Sequence, residues 1–302
     1  MNRREFIITT GLASTSLGFS AFMKKEEIVS AADLQKYLRG LRFVGEPSVD
    51  RVIIGDPNTI INKVGTVWTP YLRTLKKAVG LGINVLIVHE PTFYMHWDLD
   101  NLETEGQEYF HNTSSPAREQ YMAALEKKKK WIESHGLVII RNHDVTDLVF
   151  IPFGLGKILG FKHGDIIRSK DYYNVYKVEK SRAADIARKI ARSLKALNQP
   201  GIAFYGDPDR MVSSIGLGTG CICDPQEYSE LNPDLYIGVD DTVKTWRQAY
   251  FAKDTGNPLV VINHGTSEEM GMRLLNEHLQ KNIPTKEFIH LDQGCDYKWI
   301  TS

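Results

Sequence analysis

The chain has 302 residues, 42% of them hydrophobic and 25% charged, and its 37 basic and 37 acidic side chains balance to a formal net charge of zero. That composition fits a globular protein with one large core or two moderate ones. It excludes a basic footprint for nucleic acid and a polybasic membrane patch, and no apolar run after the first two dozen residues is long enough to span a bilayer.

The first elements differ from the rest. Asn2-Arg3-Arg4-Glu5-Phe6-Ile7 precedes a weakly hydrophobic stretch, Ile8–Phe22, that closes in Lys24-Lys25. Paired arginines followed by x-Phe-Ile resemble a bacterial twin-arginine export signal, and the Gly, Ala, Ser and Thr of Ile8–Ala21 are poor material for a packed helix. Residues 1–23 are therefore expected to be a signal peptide, and the mature protein to be periplasmic or otherwise exported. Val29–Leu41 reads as a helix capped by Ser30, and Val49–Ile54 as a strand ending in the turn Gly55-Asp56-Pro57. Thr69–Leu81 is predicted to be a helix with Pro70 in its first turn.

Three later runs each end on a histidine: Ile83–His89, Leu137–His143 and Leu259–His264. Each is short, apolar and rich in β-branched residues, so each predicts a buried strand of an α/β sheet. Between the first two, Phe93–Ser115 is polar and aromatic without a period, and predicts a long loop. Pro116–His135 predicts a charged helix whose Lys127–Lys130 run is a solvated face. After the second run comes a helical segment, Gly154–Gly160.

A second α/β unit follows, with strands at Tyr173–Val178, Ile202–Gly206, Ser213–Gly218 and Asp234–Val239, and an amphipathic helix at Ser181–Leu197. The third His-ended run then enters a helix, Ser267–Leu279. The expected architecture is α/β, with two interlinked units. Residues 24–170 and 256–302 form one, carrying a metal site at strand carboxyl ends, and 171–255 form the other as an insertion. Cys221, Cys223 and Cys295 are the only cysteines; with no CxxC spacing they read as packed side chains, although one bridge to Cys295 is compatible with an oxidising compartment.

Ligands of open α/β sheets gather at the carboxyl ends of the strands, where His89, His143 and His264 would sit. Each has acids beside it or one turn on: Glu90, Asp144 with Asp147, and Glu268. Neutral imidazole and carboxylate are the usual ligands of zinc, manganese and iron, so three distant segments converging in this way predict a metal centre. The alternative for Glu268 is a first-turn carboxylate that only complements its helix dipole. His96, Trp97 and Asp98 follow Pro91 and would supply substrate contacts, an extra ligand or merely an anchored loop. Gly216–Gly220 is glycine-rich but lacks the Lys-Ser/Thr of a phosphate loop and reads as a tight turn.

These segments resemble the Nif-three-like dinuclear metal-centre proteins, the interacting-factor-three group also labelled GTP cyclohydrolase I type 2 homologues. The resemblance lies in Leu86–Pro91, in His143 to Asp147 and in Asn263-His264 to Glu268. It extends to Gly154–Gly160, Gly218–Gly220 and Asp234–Gly238, in the family's order across most of residues 30–285. It implies two metals per chain, with His89, Asp147, His264 and Glu268 as ligands, His143 close by, and a toroidal homohexamer. Glu90 stands where the family has a second histidine; a ligating carboxylate there makes the site richer in oxygen and favours manganese or iron over zinc. Two classes of function follow. One is a metal-dependent hydrolase of a small molecule, with His143 the first choice of general acid or base ahead of Asp144 and Glu269. The other is a non-catalytic metal-binding scaffold or metal-delivery protein.

Overall fold

A computed structural model describes residues 28–99 and 114–300 of the chain. The expected signal peptide and most of the expected 93–115 loop lie outside the described residues.

The architecture starts from strands that are apolar on both sides. In β3 (Val85–Val88) all four residues are buried, Val85 and Ile87 in one core and Leu86 and Val88 in the other. β4 (Val138–Arg141) divides in the same way, with Val138 and Ile140 opposite Ile139. Two-sided burial is the reason these runs are continuous rather than alternating. With β1 (Val52–Ile54), β2 (Lys63–Val67) and β11 (Glu287–His290) they form a sheet ordered β1-β4-β3-β2-β11, parallel except for β1. One face packs on the Ala31–Gly40 and His264–Asn282 helices through Leu34, Leu38, Met272, Leu275 and Leu279. The other packs on the Leu72–Gly80 and Ser115–Ser134 helices through Leu75, Ala78, Leu125 and Ile132.

The second sheet is mixed and ordered β5-β6-β8-β9-β10-β7, from Ile166–Lys170, Tyr173–Arg182, Met211–Leu217, Leu235–Val239, Leu259–Ile262 and Ala203–Tyr205. The Ala183–Leu194 helix covers it with Ile186, Ile190 and Leu194.

Five expectations need correction. The run Leu259–Ile262 does not rejoin the first unit from residue 256: β10 pairs in parallel with β9 and antiparallel with β7, inside the second sheet. A parallel neighbour demands a crossover, which the π-helical turn Thr245–Ala249 and the helix Tyr250–Thr255 provide. The return happens one element later, through the His264–Asn282 helix and β11. The helix expected from Thr69 begins at Leu72, because the side-chain amide of Gln293 takes both Thr69 N–H and Thr69 C=O at 2.7 Å. Lys128 is not on a solvated face: it is 4% exposed, and its Nζ donates to Thr92 C=O at 2.6 Å and lies 4.8 Å from the centre of the Tyr94 ring. The segment Ser181-Arg182 belongs to β6 rather than to the following helix. Gly220 is more than part of a turn, as shown below. Ser30 does cap the first helix, accepting Asp33 N–H while Asp33 accepts Ser30 N–H.

Candidate metal centre

The first sheet delivers two histidines from neighbouring strands. β3 ends on His89, whose side chain has no exposure, followed by Glu90. β4 passes through Asn142 to His143, and a one-and-a-half-turn helix, Asp144–Val149, brings Asp147 round beneath it, with Asp147 N–H donating to His143 C=O. That short helix is capped from a distance: Asp50 accepts the N–H groups of His143, Asp144 and Val145 at 2.6–2.9 Å. The second sheet delivers the rest. β10 leads through Asn263, which accepts Thr266 N–H as N-cap, to His264, with Glu268 one turn further. Helical spacing puts His264 and Glu268 on one face.

These side chains meet between the two sheets. His89 Nε2 lies 3.4 Å from Asp147 Oδ1 and 3.3 Å from Glu268 Oε2. His264 Nε2 lies 3.1 Å from the same Glu268 oxygen and 3.2 Å from Glu90 Oε1. Three overlapping potential ligand groups result, His89-Asp147-Glu268, Glu90-His264-Glu268 and His89-Glu90-His143, with Glu268 common to the first two. His143 stacks on His89 with ring centroids 4.4 Å apart, and its Nδ1 is 3.1 Å from Asp144 and 3.5 Å from Asp147. All five sequence-derived candidates, His89, Glu90, Asp147, His264 and Glu268, thus converge, with His143 beside them.

Charge explains the electrostatics. Burial opposes a proton on His89 and on His264, but the Glu268 carboxylate, aided by Glu90, outweighs it and raises both, His264 strongly. Burial pushes Asp147 up to about 8, with His143 opposing and Glu268 and Glu90 adding to the rise. Glu90 and Glu268 move the other way, because the facing imidazoles override burial. Three carboxylates, Glu90, Asp147 and Glu268, crowd the imidazoles of His89 and His264 here.

A divalent cation fits this arrangement on one further observation. Both ring nitrogens of His89 are buried without a hydrogen-bond partner among the described residues, although Nε2 has two carboxylates within 3.4 Å. An orphaned buried imidazole is costly in water-built proteins and ordinary beside a metal. The supporting shell also has the form that metal ligands need. His264 Nδ1 pairs with Asp241 at 2.7 Å, which aims Nε2 inward, and Trp68 Nε1 donates to Glu268 Oε2 at 2.7 Å. Gly220, at φ +61°, closes the wall: a Cβ there would lie 2.1 Å from Glu268 Oε1.

Other candidates sit elsewhere. Glu269 faces away, accepting from His290 Nε2 at 2.7 Å in a cluster with Asp292 that Arg273 neutralises, 3.1 Å from Asp292. Asp144 is occupied by Ser48, Val49 and His143. Asp98 is fully buried and accepts Thr92 and Phe93 N–H, so it anchors the loop rather than facing a ligand. His96 meets the His143 ring edge-on at 6.3 Å and Trp97 packs on His96; neither belongs to a ligand group. The sequence reading missed Asp50, Trp68, Asp241 and Arg141, whose Nε donates to His89 C=O. Each acts across a long sequence separation, and only the Trp-Thr-Pro breaker after β2 marked one of them.

A two-unit α/β fold with a His/carboxylate centre between its sheets defines the class. The family model described as Duf34/NIF3 (NGG1p interacting factor 3) matches residues 51–293, and the chain belongs to that family. Among solved structures, the hypothetical protein SA1388 of Staphylococcus aureus is similar at 18% identity, with a TM-score of 0.70 over 90% of this chain and 99% of that one. A Bacillus cereus protein related to NIF3 is similar at 12% identity and TM-score 0.67, covering 91% and 100%. Reduced HcgD from Methanocaldococcus jannaschii is similar at 17% identity and TM-score 0.63, covering 87% and 98%. At these identities the likeness is one of fold. No curated protein matches the chain.

Proposed function

We propose that the protein is a metal-dependent hydrolase of a small molecule, holding two divalent ions per chain. His89 with Asp147 would hold one and Glu90 with His264 the other, with Glu268 shared. The observation that carries this is the buried His89 ring, unpartnered at both nitrogens amid carboxylates from distant segments. The oxygen-rich set created by Glu90 favours manganese or iron. Solvent access supports catalysis rather than mere structural binding: Glu90, Asp147 and His143 are each 18–19% exposed while His89 and Glu268 are closed.

Two such ions, when bound, activate water and polarise a carbonyl or phosphoryl group. The protein's own part is positioning and proton transfer. Asp144 is held down to about 2 by its hydrogen bonds from His143 and Ser48, against burial, so it stays ionised and fixes His143 through Nδ1. His143 Nε2 is then the atom positioned to take and return a proton. Asp241 and Trp68 keep His264 and Glu268 in place. The Arg3-Arg4 segment supports export through the twin-arginine route, and the family resemblance supports a hexamer.

Metal analysis of protein from its native host tests the reading. About two divalent ions per chain are expected, with large losses in His89→Ala, Asp147→Ala and Glu268→Ala. A phosphoester and amide panel then separates the classes: turnover that falls at least a hundredfold in His143→Ala supports the hydrolase. A fully loaded protein inert on the whole panel supports a scaffold instead. Parent protein without bound metal ends the proposal.

A further inference from the structure

Along the C-terminal segment lies an open depression of about 630 Å³ that the chemistry above does not use. Its size is that of a small-molecule site. It sits where the C-terminal segment crosses the turn after the Ala183–Leu194 helix, with Cys295 N–H donating to Leu197 C=O at 2.8 Å. Three cations line it: Arg73 from the first sheet's Leu72–Gly80 helix, Lys195 from the second unit, and Lys298. None of the three has an ion-pair partner among the described residues. The single acid in the wall, Asp296, is engaged by the side-chain amide of Asn263 at 2.6 Å. In a chain of zero net charge this is a local excess of positive charge.

The cavity also has an aromatic corner. Tyr297 and Trp299 stand with ring centroids 5.8 Å apart, 46% and 39% exposed, and a Cβ added at Gly201 would meet the six-membered ring of Trp299 at 3.5 Å. Tyr and Trp present large, rigid surface to a ring-bearing ligand at low entropic cost. Arg supplies a planar fork for an oxyanion, and Lys a point charge.

The wall is linked to the neighbours of the metal centre at two places. Gln293 holds Thr69, the neighbour of Trp68, and Asp296 holds Asn263, the neighbour of His264. Trp68 and His264 both contact Glu268. Two short paths thus run from the wall to Glu268, one through Gln293, Thr69 and Trp68 and the other through Asp296, Asn263 and His264.

The geometry points to this cavity as a recognition site for a small aromatic molecule bearing an oxyanion group. Arg73, Lys195 and Lys298 take the charge, and Tyr297 and Trp299 take the ring. This binding does not depend on the proposed hydrolase.

Calorimetry on the full chain, with and without added metal, tests it with phenylphosphonate, which contains no hydrolysable ester. Methylphosphonate and phenol serve as the two halves, and benzoate separates carboxylate from phosphonate recognition. Phenylphosphonate is expected to bind about tenfold or more tighter than methylphosphonate or phenol. Arg73→Gln and Trp299→Leu, both surface substitutions, should each weaken it about tenfold with metal content unchanged. Binding that persists in His89→Ala would support the cavity even if the hydrolase reading failed. Equal affinity for phenylphosphonate and methylphosphonate would overturn the inference. So would binding that is lost in His89→Ala but indifferent to Arg73 and Trp299, which would assign the phosphonate to the metal centre.

Discussion

Glu268 carries two demands in one carboxylate: it lies against both imidazoles and accepts the indole N–H of Trp68. Removing that donor leaves the ligand present but less well oriented. Trp68→Phe is expected to weaken metal binding by about 10- to 100-fold with the fold intact, as read by competition with a chelator of known affinity. Lys128 makes a different prediction. Burial pulls its pKa down to about 8, with Asp98 opposing, whereas the unfolded chain keeps it near 10.5. Between those values the unfolded state binds more protons, so this group makes the protein more stable as pH rises from 8 to 10.5. Lys128→Met should remove that rise, worth on the order of 3 kcal/mol, in urea melts at pH 8 and 10. The histidines His89, His143 and His264 were legible because each closes an apolar run. Lys128 was not, since nothing in four consecutive lysines says which of them turns inward under Thr92.

At the level of elements, what was legible followed periodicity. The strands β3, β4 and β10 are continuous apolar runs, and the Ala183–Leu194 helix has its buried Ile186, Ile190 and Leu194 on one face. β2 was missed because Gly65 and Thr66 interrupt its apolar character, and β11 because Glu287 and His290 make it look like surface. Both pair within the first sheet, where neighbours rather than composition decide the conformation. The connection after β8 carries a prediction of its own. Gly220 N–H donates to Ser267 Oγ at 3.0 Å, and its backbone is seated against Glu268. Gly220→Ala adds a methyl group both where φ is positive and where a ligand oxygen already sits. Metal content should fall to the level of Glu268→Ala, while circular dichroism stays that of the parent.

Across the whole molecule, the α/β class was visible in the order of strands and helices. The partner of β10 was not, because a run that is apolar on both sides fits either sheet. The outcome is that His264, carried on the second sheet, meets Glu90 from the first, and a bound metal would join the two. Binding to the folded state alone stabilises by about 2.7 kcal/mol when free metal is a hundredfold above Kd, so chelation should lower the melting temperature and Asp147→Asn should abolish the difference. The pH dependence has a definite sign. Asp147, raised to about 8, and His89, raised by its carboxylate neighbours, hold protons in the metal-free fold that a cation must displace. Metal affinity should therefore climb between pH 6 and 8. In the same window the metal-free protein should lose stability, since its fold binds more protons there than the unfolded chain does.

Trp68 is 4% exposed, while Trp246 and Trp299 are 76% and 39% exposed. Its indole touches the carboxylate on which both halves of the centre depend, so it serves as a built-in optical reporter. A cation arriving at Glu268 would alter the polarity felt by this buried fluorophore, whereas of the other four tryptophans Trp97 and Trp131 are half-buried and Trp246 and Trp299 exposed. Emission titrated against manganese, and silenced by Trp68→Phe, would follow the filling of the centre in real time without a label.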